Sequence, residues 1–335
     1  MKSIIQSNRL TNAFERKIAN VFDAFISKDE PIIVAASGGP DSTALLIASV
    51  RVRPQGTVIA ANFDHHLRIH KETEADAEFV LKLSNNLGSR FLSGISDAFD
   101  KKNESNARIN RYKWLEEICL NENIRICTIG HNKDDQAETI LFRLARGTGL
   151  SGMSGMKEFS DWPLETCKTS QLKLIRPMLN ISRMQINEYL AALKIVARFD
   201  ETNISNQYAR NRIRNLIFPE LEKINSNAKQ HLSDFAKKAT VDENALNEWS
   251  SGIYLQLAII GQSEISFPRK LLSSYHQAIW QRVLLHAANE LDISFTDVQL
   301  TKSISALNRS GFKLILRGGF LVSNAYEVKL VKDSQ

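Results

Sequence analysis

Residues 37–42 read Ser-Gly-Gly-Pro-Asp-Ser, set between the apolar runs PIIVAA (31–36) and TALLIASV (43–50). A turn leading from a buried strand into a helix presents free backbone N–H groups and the positive end of a helix dipole, and together these bind anions. Gly38 and Gly39 let the backbone approach the anion, Ser37 and Ser42 add hydroxyl donors, and Asp41 could hold a cation or orient a reacting group. A tight turn capped by serine remains the alternative for six residues taken alone. A second cluster lies in GHNKDDQAET (130–139), where His131 and Asp135 stand four apart with Asp134 and Glu138 beside them. Such a group can bind Mg²⁺ through oxygen or move a proton. Asp134 and Asp135 would equally serve as helix caps that favour the dipole.

Arginines form the third group. Arg108 and Arg111 are three apart, on one face of a helix, where they could clamp a phosphate; singly, each is an ordinary surface arginine. Arg210, Arg212 and Arg214 in ARNRIRN fall in little more than one helical turn, so Arg210 and Arg214 share a face that could meet a phosphate backbone. The turn at 37–42 is not a Walker A loop, since no lysine lies between Lys28 and Lys71, and its adjacent glycines exclude GxGxxG. Cys119, Cys127 and Cys167, an odd number without a CxxC pair, argue against a disulfide framework and a four-ligand zinc site.

These residues need a scaffold, and a strand-helix alternation supplies it. Apolar strands are expected at 31–36, 57–63, 90–94 and 124–130, with helices through 43–50, 71–88, 105–123 and 134–147. In the last helix Ala137, Ile140, Leu141, Leu144 and Ala145 make one apolar stripe, Asp135, Glu138, Arg143 and Arg146 point away from it, and Gly147 sits at the C-terminal cap. Ser182 and Gln185 form a capping box for a helix over 182–194. This is α/β, a doubly wound and mainly parallel sheet with ligands at the carboxyl ends of its strands. Beyond about residue 216 the chain turns to long helical stretches and a β-hairpin around Gly318-Gly319, so we expect domains at 1–216 and 217–335, the second smaller and mostly helical. A length of 335 residues suits two domains, a net charge of +6 permits a polyanionic partner, and no window has the apolar length of a membrane span, which reads as a soluble cytoplasmic protein.

The string SGGPDS resembles the pyrophosphate-binding loop of the PP-loop, or N-type, ATP pyrophosphatases. Five further segments are similar to the tRNA(Ile)-lysidine synthases of that superfamily: FDHHLR (63–68), NARINRYKWL (106–115), GHNKDDQAETILFRLARGTGLSGMSGM (130–156), IRPML (175–179) and DETNISNQYARNRIR (200–214). Departures are small, with Met153 where leucine is common, Thr202 for serine, and His66 where glycine or glutamine is more frequent.

The resemblance implies a Rossmann-like adenylation domain and ATP-dependent attachment of L-lysine to C2 of the wobble cytidine of an isoleucine tRNA with a CAU anticodon. It implies ATP and Mg²⁺ as cofactors, tRNA(Ile) and L-lysine as partners, no membrane, and room for a homodimer. Nucleotide contacts would fall to Ser37, Gly38, Gly39, Pro40, Asp41, Ser42, His65, Arg108 and Glu138, and metal contacts to Asp41 and Asp135. Catalysis would fall to Asp41, Arg111, His131 and Asp135, with either His131 or Asp135 as base, and tRNA contacts to Arg143, Arg210, Arg212 and Arg214. The second domain would add to the tRNA surface. The rival readings are a PP-loop tRNA thiolase, an amidating ligase sharing the loop, and a nucleotide- or RNA-binding module without catalysis. Scattered cysteines weigh against the thiolase, the RNRIR segment against the amidating ligase, and the joint presence of Ser37, Asp41, His131 and Asp135 against the inert module.

Overall fold

A computed structural model describes residues 8–64, 70–96, 104–164, 171–198 and 209–333. The chain divides into two compact units, Met1–Lys237 and Lys238–Gln335.

Six strands make the sheet of the first unit: β1 (Ile32–Ala35), β2 (Val58–Asp64), β3 (Arg90–Ile95), β4 (Ile126–Thr128), β5 (Phe159–Asp161) and β6 (Lys173–Ile175). Their order is β3-β2-β1-β4-β6-β5, and every pairing is parallel except the last. Helices α1 (Arg9–Phe25), α2 (Pro40–Val52), α3 (His70–Leu87), α4 (Glu104–Asn121), α5 (Lys133–Ala145), α6 (Leu150–Met153) and α7 (Arg183–Ala192) complete the layers.

The strands are apolar without alternation because both faces of the sheet are covered. Ile32 and Val34 pack into a core with Phe14, Ile18, Leu45, Leu46 and Tyr189. Ile33, between them, faces a second core made by Tyr112, Leu115, Cys119 and Cys127. Fully burying one such isoleucine is worth about 1.5–3 kcal/mol, so the strand is fixed from both sides. The chain winds outward from β1 to β3 and then returns to the other side of β1 as β4. That reversal opens a crevice at the carboxyl ends of β1 and β4, and both candidate loops enter it.

The four predicted strands and their helices are present, and so is the Ser182–Gln185 capping box. Gly147 follows the C-cap of α5 with φ +77°. The sequence reading passed over α1, β5 and β6.

After α7 come α8 (Ala209–Arg212), a π-helical turn (Ile213–Ile217), α9 (Phe218–Ile224) and the long α10 (Ala228–Leu257). Ile213 and Phe218 are buried with Ala137 of α5, joined by Leu141, Leu221 and Leu232. This packing carries the first unit past residue 216 to Lys237, inside α10. The second unit holds β7 (Ile259–Ile260), β8 (Glu264–Pro268), α11 (Arg269–Ser273), α12 (Gln277–Glu290), α13 (Asp297–Lys302), α14 (Ile304–Asn308), β9 (Lys313–Leu316), β10 (Gly319–Ser323) and β11 (Glu327–Lys332). The expected hairpin is β9–β10, with φ +88° at Gly318, but it belongs to a five-stranded antiparallel sheet, order β7-β8-β11-β10-β9. The helices expected there are present as well, and the hairpin extends into the sheet, where Leu321, Val328, Leu330, Ile265 and Phe267 pack with Trp280, Val283 and Leu284 of α12.

Candidate active site

The loop between β1 and α2 is built by its own polar groups. Gly38 has φ +86°, a left-handed conformation that only glycine adopts without strain. The Ser37 N–H donates to Ser42 Oγ at 3.1 Å, Ser42 Oγ donates to the Gly39 carbonyl at 3.1 Å, and the two serine hydroxyls meet at 3.2 Å. Thr43 Oγ1 and the Arg198 N–H both donate to the Gly38 carbonyl, at 3.1 and 3.0 Å. Pro40 occupies the first turn of α2, whose N-cap is Gly39 with no side-chain cap. No side chain caps the start of α2, and apart from Pro40, which has none, its first-turn N–H groups are open to an anion.

Across the crevice, Gly130 brings the β4–α5 loop against α2: a Cβ there would stand 3.1 Å from the Asp41 carbonyl carbon and 3.1 Å from the Ser42 nitrogen. A cavity of about 230 Å³ opens between the loops. Ser37, Asp41, Ser42, His131, Asp135 and Arg111 give it polar walls, while Ala61, Phe63, Trp114, Leu115 and Ile129 give it an apolar slot. The Phe63 and Trp114 rings stack with centroids 5.3 Å apart. Trp114 fits because residue 94 lacks a side chain, since a Cβ on Gly94 would fall 2.2 Å from the indole. A flat apolar slot beside an anion-binding turn suits a nucleobase joined to phosphate.

An ionic centre adjoins this cavity. Asn132 and Asp135 cap α5 reciprocally: the Asp135 N–H donates to Asn132 Oδ1 at 3.0 Å and the Asn132 N–H to Asp135 Oδ2 at 3.0 Å. Asp134 does not cap α5; it accepts the Arg183 N–H at 2.9 Å and so caps α7. The other oxygen of Asp135 receives Arg183 Nη2 at 3.4 Å and Arg214 Nη2 at 3.3 Å, and Arg183 Nη2 also reaches Asp41 Oδ2 at 3.3 Å. Burial raises the Asp41 carboxyl to about 6 against the opposing charge of Arg183, with Asp135 adding to the rise. Its Oδ1 is buried with no hydrogen-bond partner, as is His131 Nδ1. Burial, reinforced by Arg176, Arg108, Arg111 and Arg210, holds His131 well below the ordinary imidazole range, so the ring is neutral near pH 7.

Two expectations are corrected. Glu138 does not point outward: it is 4% exposed, and Arg214 grips it with Nε to Oε1 at 2.6 Å and Nη2 to Oε2 at 2.9 Å. The α8 and π-helical segment covers that side of α5, a packing no single-helix pattern contains. Burial raises the Glu138 carboxyl while Arg214 opposes the rise. Arg210 and Arg214 do not share an outward face either, because Arg214 enters the ionic centre while Arg210 stands near His131.

Arg143, expected against tRNA, donates from Nη1 to the carbonyls of Gly152 and Gly155, both at 2.9 Å. Gln136 bonds Met156 through both backbone groups, at 2.9 and 2.8 Å, so the glycine-rich run after α5 is clasped to that helix. Arg108 and Arg111 flank the Tyr112 ring at 5.3 and 5.5 Å. Arg212 is exposed. His65, with the rest of residues 65–69, lies outside the described residues. Sequence reasoning missed Arg183 and Arg176; Arg183 immediately follows the predicted N-cap Ser182, and Arg176 lies in IRPML, so position was the available signal. Cys119 and Cys127 are buried in the core between α4 and β4 and do not line the cavity, while Cys167 is outside the described residues. No described helix is long and apolar enough to cross a membrane.

The chain resembles known proteins over most of its length. The tRNA(Ile)-lysidine synthase of Clostridioides difficile (strain 630) is 31% identical over 296 residues, covering 84% of this chain and 61% of that protein. An enzyme of the same name from Bacillus cereus is 32% identical over 67% of this chain and 47% of its own length. The chain thus spans roughly half the length of these relatives. Among solved structures, the U34-tRNA thiolase NcsA from Methanococcus maripaludis, with its [4Fe-4S] cluster, superposes with a TM-score of 0.54 at 17% identity, covering 68% of this chain and 79% of that one, a likeness of fold. A model of the PP-loop domain matches residues 10–221. That match spans the whole sheet, the glycine-bearing turn and the ionic centre, and the chain belongs to the PP-loop family.

Proposed function

We propose that the chain is an ATP-dependent carbon-nitrogen ligase that joins L-lysine to C2 of the wobble cytidine in an isoleucine tRNA with a CAU anticodon. The observation that carries the reading is the convergence of Ser37, Asp41, His131 and Asp135 on one cavity with an aromatic slot, at the carboxyl ends of β1 and β4. The lysidine synthases among its relatives supply the acceptor and the amine. The chain carries a net charge of +6, and its C-terminal part, residues 217–335, would extend the tRNA surface.

Oxygen at C2 of cytosine is a poor leaving group, so an amine needs it activated. In the first step O2 attacks the α-phosphorus of ATP, forming the O2–P bond as the bond to pyrophosphate breaks. The remaining amides of the turn, those of Gly38, Gly39, Asp41 and Ser42, would hold the departing phosphates, which is positional and electrostatic catalysis. In the second, the lysine ε-amine attacks C2, AMP leaves with O2, and the amine gives up protons. Neutral His131, with Nδ1 free, suits that acceptor; Asp135, held by Arg183 and Arg214, is the alternative. Arg111, at the cavity wall, would offset the negative charge of the adenylate.

Mg²⁺ fits the donors present, because Asp41 Oδ1 is a buried acceptor without a partner and Asp135 lies beside it. Among the described residues no cluster of three or more acidic, histidine or cysteine groups could hold a metal alone, so phosphate oxygens would complete the shell. When bound, the cation would draw charge from the departing phosphates.

The test is to incubate the chain with ATP, Mg²⁺ and that tRNA, offering each amino acid in turn, and to follow pyrophosphate release and the modified nucleoside. Release with lysine and formation of lysidine are expected. No release with that tRNA, or no lysidine when lysine is supplied, would sink the assignment.

A further inference from the structure

The arginines of the crevice are of two kinds. Arg183 and Arg214 are paired with Asp41, Asp135 and Glu138. Arg108, Arg111, Arg143, Arg176 and Arg210 act on one another or on His131, and among the described residues none forms an ion pair with a carboxylate. They come from four elements, α4, α5, the turn after β6 and α8, so the grouping is a product of the fold.

Arg176 is its buried member, 7% exposed, with one Nη1 donating to the Lys157 carbonyl at 2.8 Å and to Ser160 Oγ at 3.0 Å. Its Nε has no partner, and neither has Arg111 Nε. Burial and the neighbouring charges of Arg108 and Arg143 depress Arg176, with Tyr112 opposing, while burial and then Arg210 depress Arg143. One of these charges is buried and the other four are half-buried, and like charges gathered in that setting without a counterion are costly, a cost that a bound anion relieves.

The basin is not the nucleotide cavity. Of its members only Arg111 lines that cavity, together with His131, and the other four arginines do not. These two residues stand on the border. A ligand served by both regions therefore carries a reacting group into the cavity and an anionic group a short reach away. The triphosphate of ATP has its own seat in the amides of the Ser37–Ser42 turn. A nucleotide within an RNA strand meets the requirement, its base entering the cavity and its phosphodiester remaining outside.

We propose that Arg108, Arg111, Arg143, Arg176 and Arg210 form a phosphodiester seat for the strand beside the reacting base, with Arg176 as its floor. The proposal rests on the reading of the chain as a tRNA ligase and adds to it a division of labour: paired arginines organise the carboxylates, unpaired ones hold the RNA backbone.

The test is fluorescence anisotropy of the full chain with an end-labelled anticodon stem-loop RNA bearing CAU, titrated at several salt concentrations. Arg210→Gln is the main variant, because Arg210 is half-buried and makes no hydrogen bond that the fold needs. Arg108→Gln, on α4, is an independent second one, because Arg108, expected at the nucleotide, does not line the nucleotide cavity. Each should weaken RNA binding roughly tenfold and make the salt dependence shallower by about 0.7 in log-log slope, the share of one phosphate on a single strand. Arg210→Lys should keep most of the slope, since it keeps the charge. Lys113→Gln removes an exposed charge from the outer side of α4 and should change neither quantity.

ATP and L-lysine affinities, measured on the same variants, identify the anion. Unchanged ATP and lysine binding with weaker RNA binding upholds the seat. A loss of lysine affinity with RNA binding intact would assign the basin to an amino-acid carboxylate, and an equal loss of ATP affinity would assign it to the triphosphate; either overturns the proposal. So does wild-type RNA affinity and slope in both glutamine variants, which leaves the ligase reading standing, whereas failure of the wild-type chain to bind RNA removes both.

Discussion

Asp41 joins the glycine-bearing turn to the ionic centre, and its carboxyl titrates near pH 6 because burial outweighs the pull of Arg183. In the unfolded chain the same group ionises near 3.8, so between about 3.8 and about 6 the folded state binds the extra proton. Stability therefore falls as pH rises through that window, by about 3 kcal/mol for a shift of this size. Asp41→Asn removes the titration: without divalent metal, its melting temperature relative to wild type should climb from pH 4 to pH 7 and then level off. A difference independent of pH would show that Asp41 is not the source. The residues legible in the sequence were those whose neighbours in the chain are also their neighbours in the site, such as Ser37 with Ser42, although Asn132, the reciprocal cap of Asp135, was passed over. Glu138 was misread and Arg183 overlooked because their partners lie 76 and 142 residues away.

Elements decide how closely the two loops meet. β1 and β4 pair directly, and the loops that follow them touch where Gly130 faces the backbone at Asp41 and Ser42. Gly130→Ala would force a methyl group to 3.1 Å from main-chain atoms that cannot rotate aside. We expect a cost of about 1–3 kcal/mol from overpacking and an ATP KM about tenfold higher, measured by denaturation and pyrophosphate release. A normal KM would mean that the turn does not depend on this contact. The central strands were legible because burial on two sides makes them continuously apolar. β5 and β6 were not, being three residues each, FSD and KLI, below the length at which a pattern exists. In the second unit, EISFP and EVKLVK are one-faced strands separated by helices, so only the hairpin with its glycine turn declared itself.

At the scale of the molecule the two units have separate cores, one around β1 and α2 and one around α12 and β10. Leu321→Ala, at a fully buried position in the second, should cost about 2–5 kcal/mol in that unit and leave ATP affinity unchanged, as calorimetry and nucleotide titration would report. A matching loss of ATP binding would mean that the nucleotide site requires an intact second core. The net charge of +6 looked slight when spread over 335 residues, yet the fold gathers four arginines about one histidine and turns a weak average into a local field. A final consequence concerns Gly94 and Trp114, since the indole occupies the volume that any side chain at 94 would need. These positions, twenty apart and on different elements, cannot drift independently. Over evolutionary time a larger residue at 94 is admissible only where 114 has already shrunk, and lineages that made the exchange would carry a wider, less aromatic cavity.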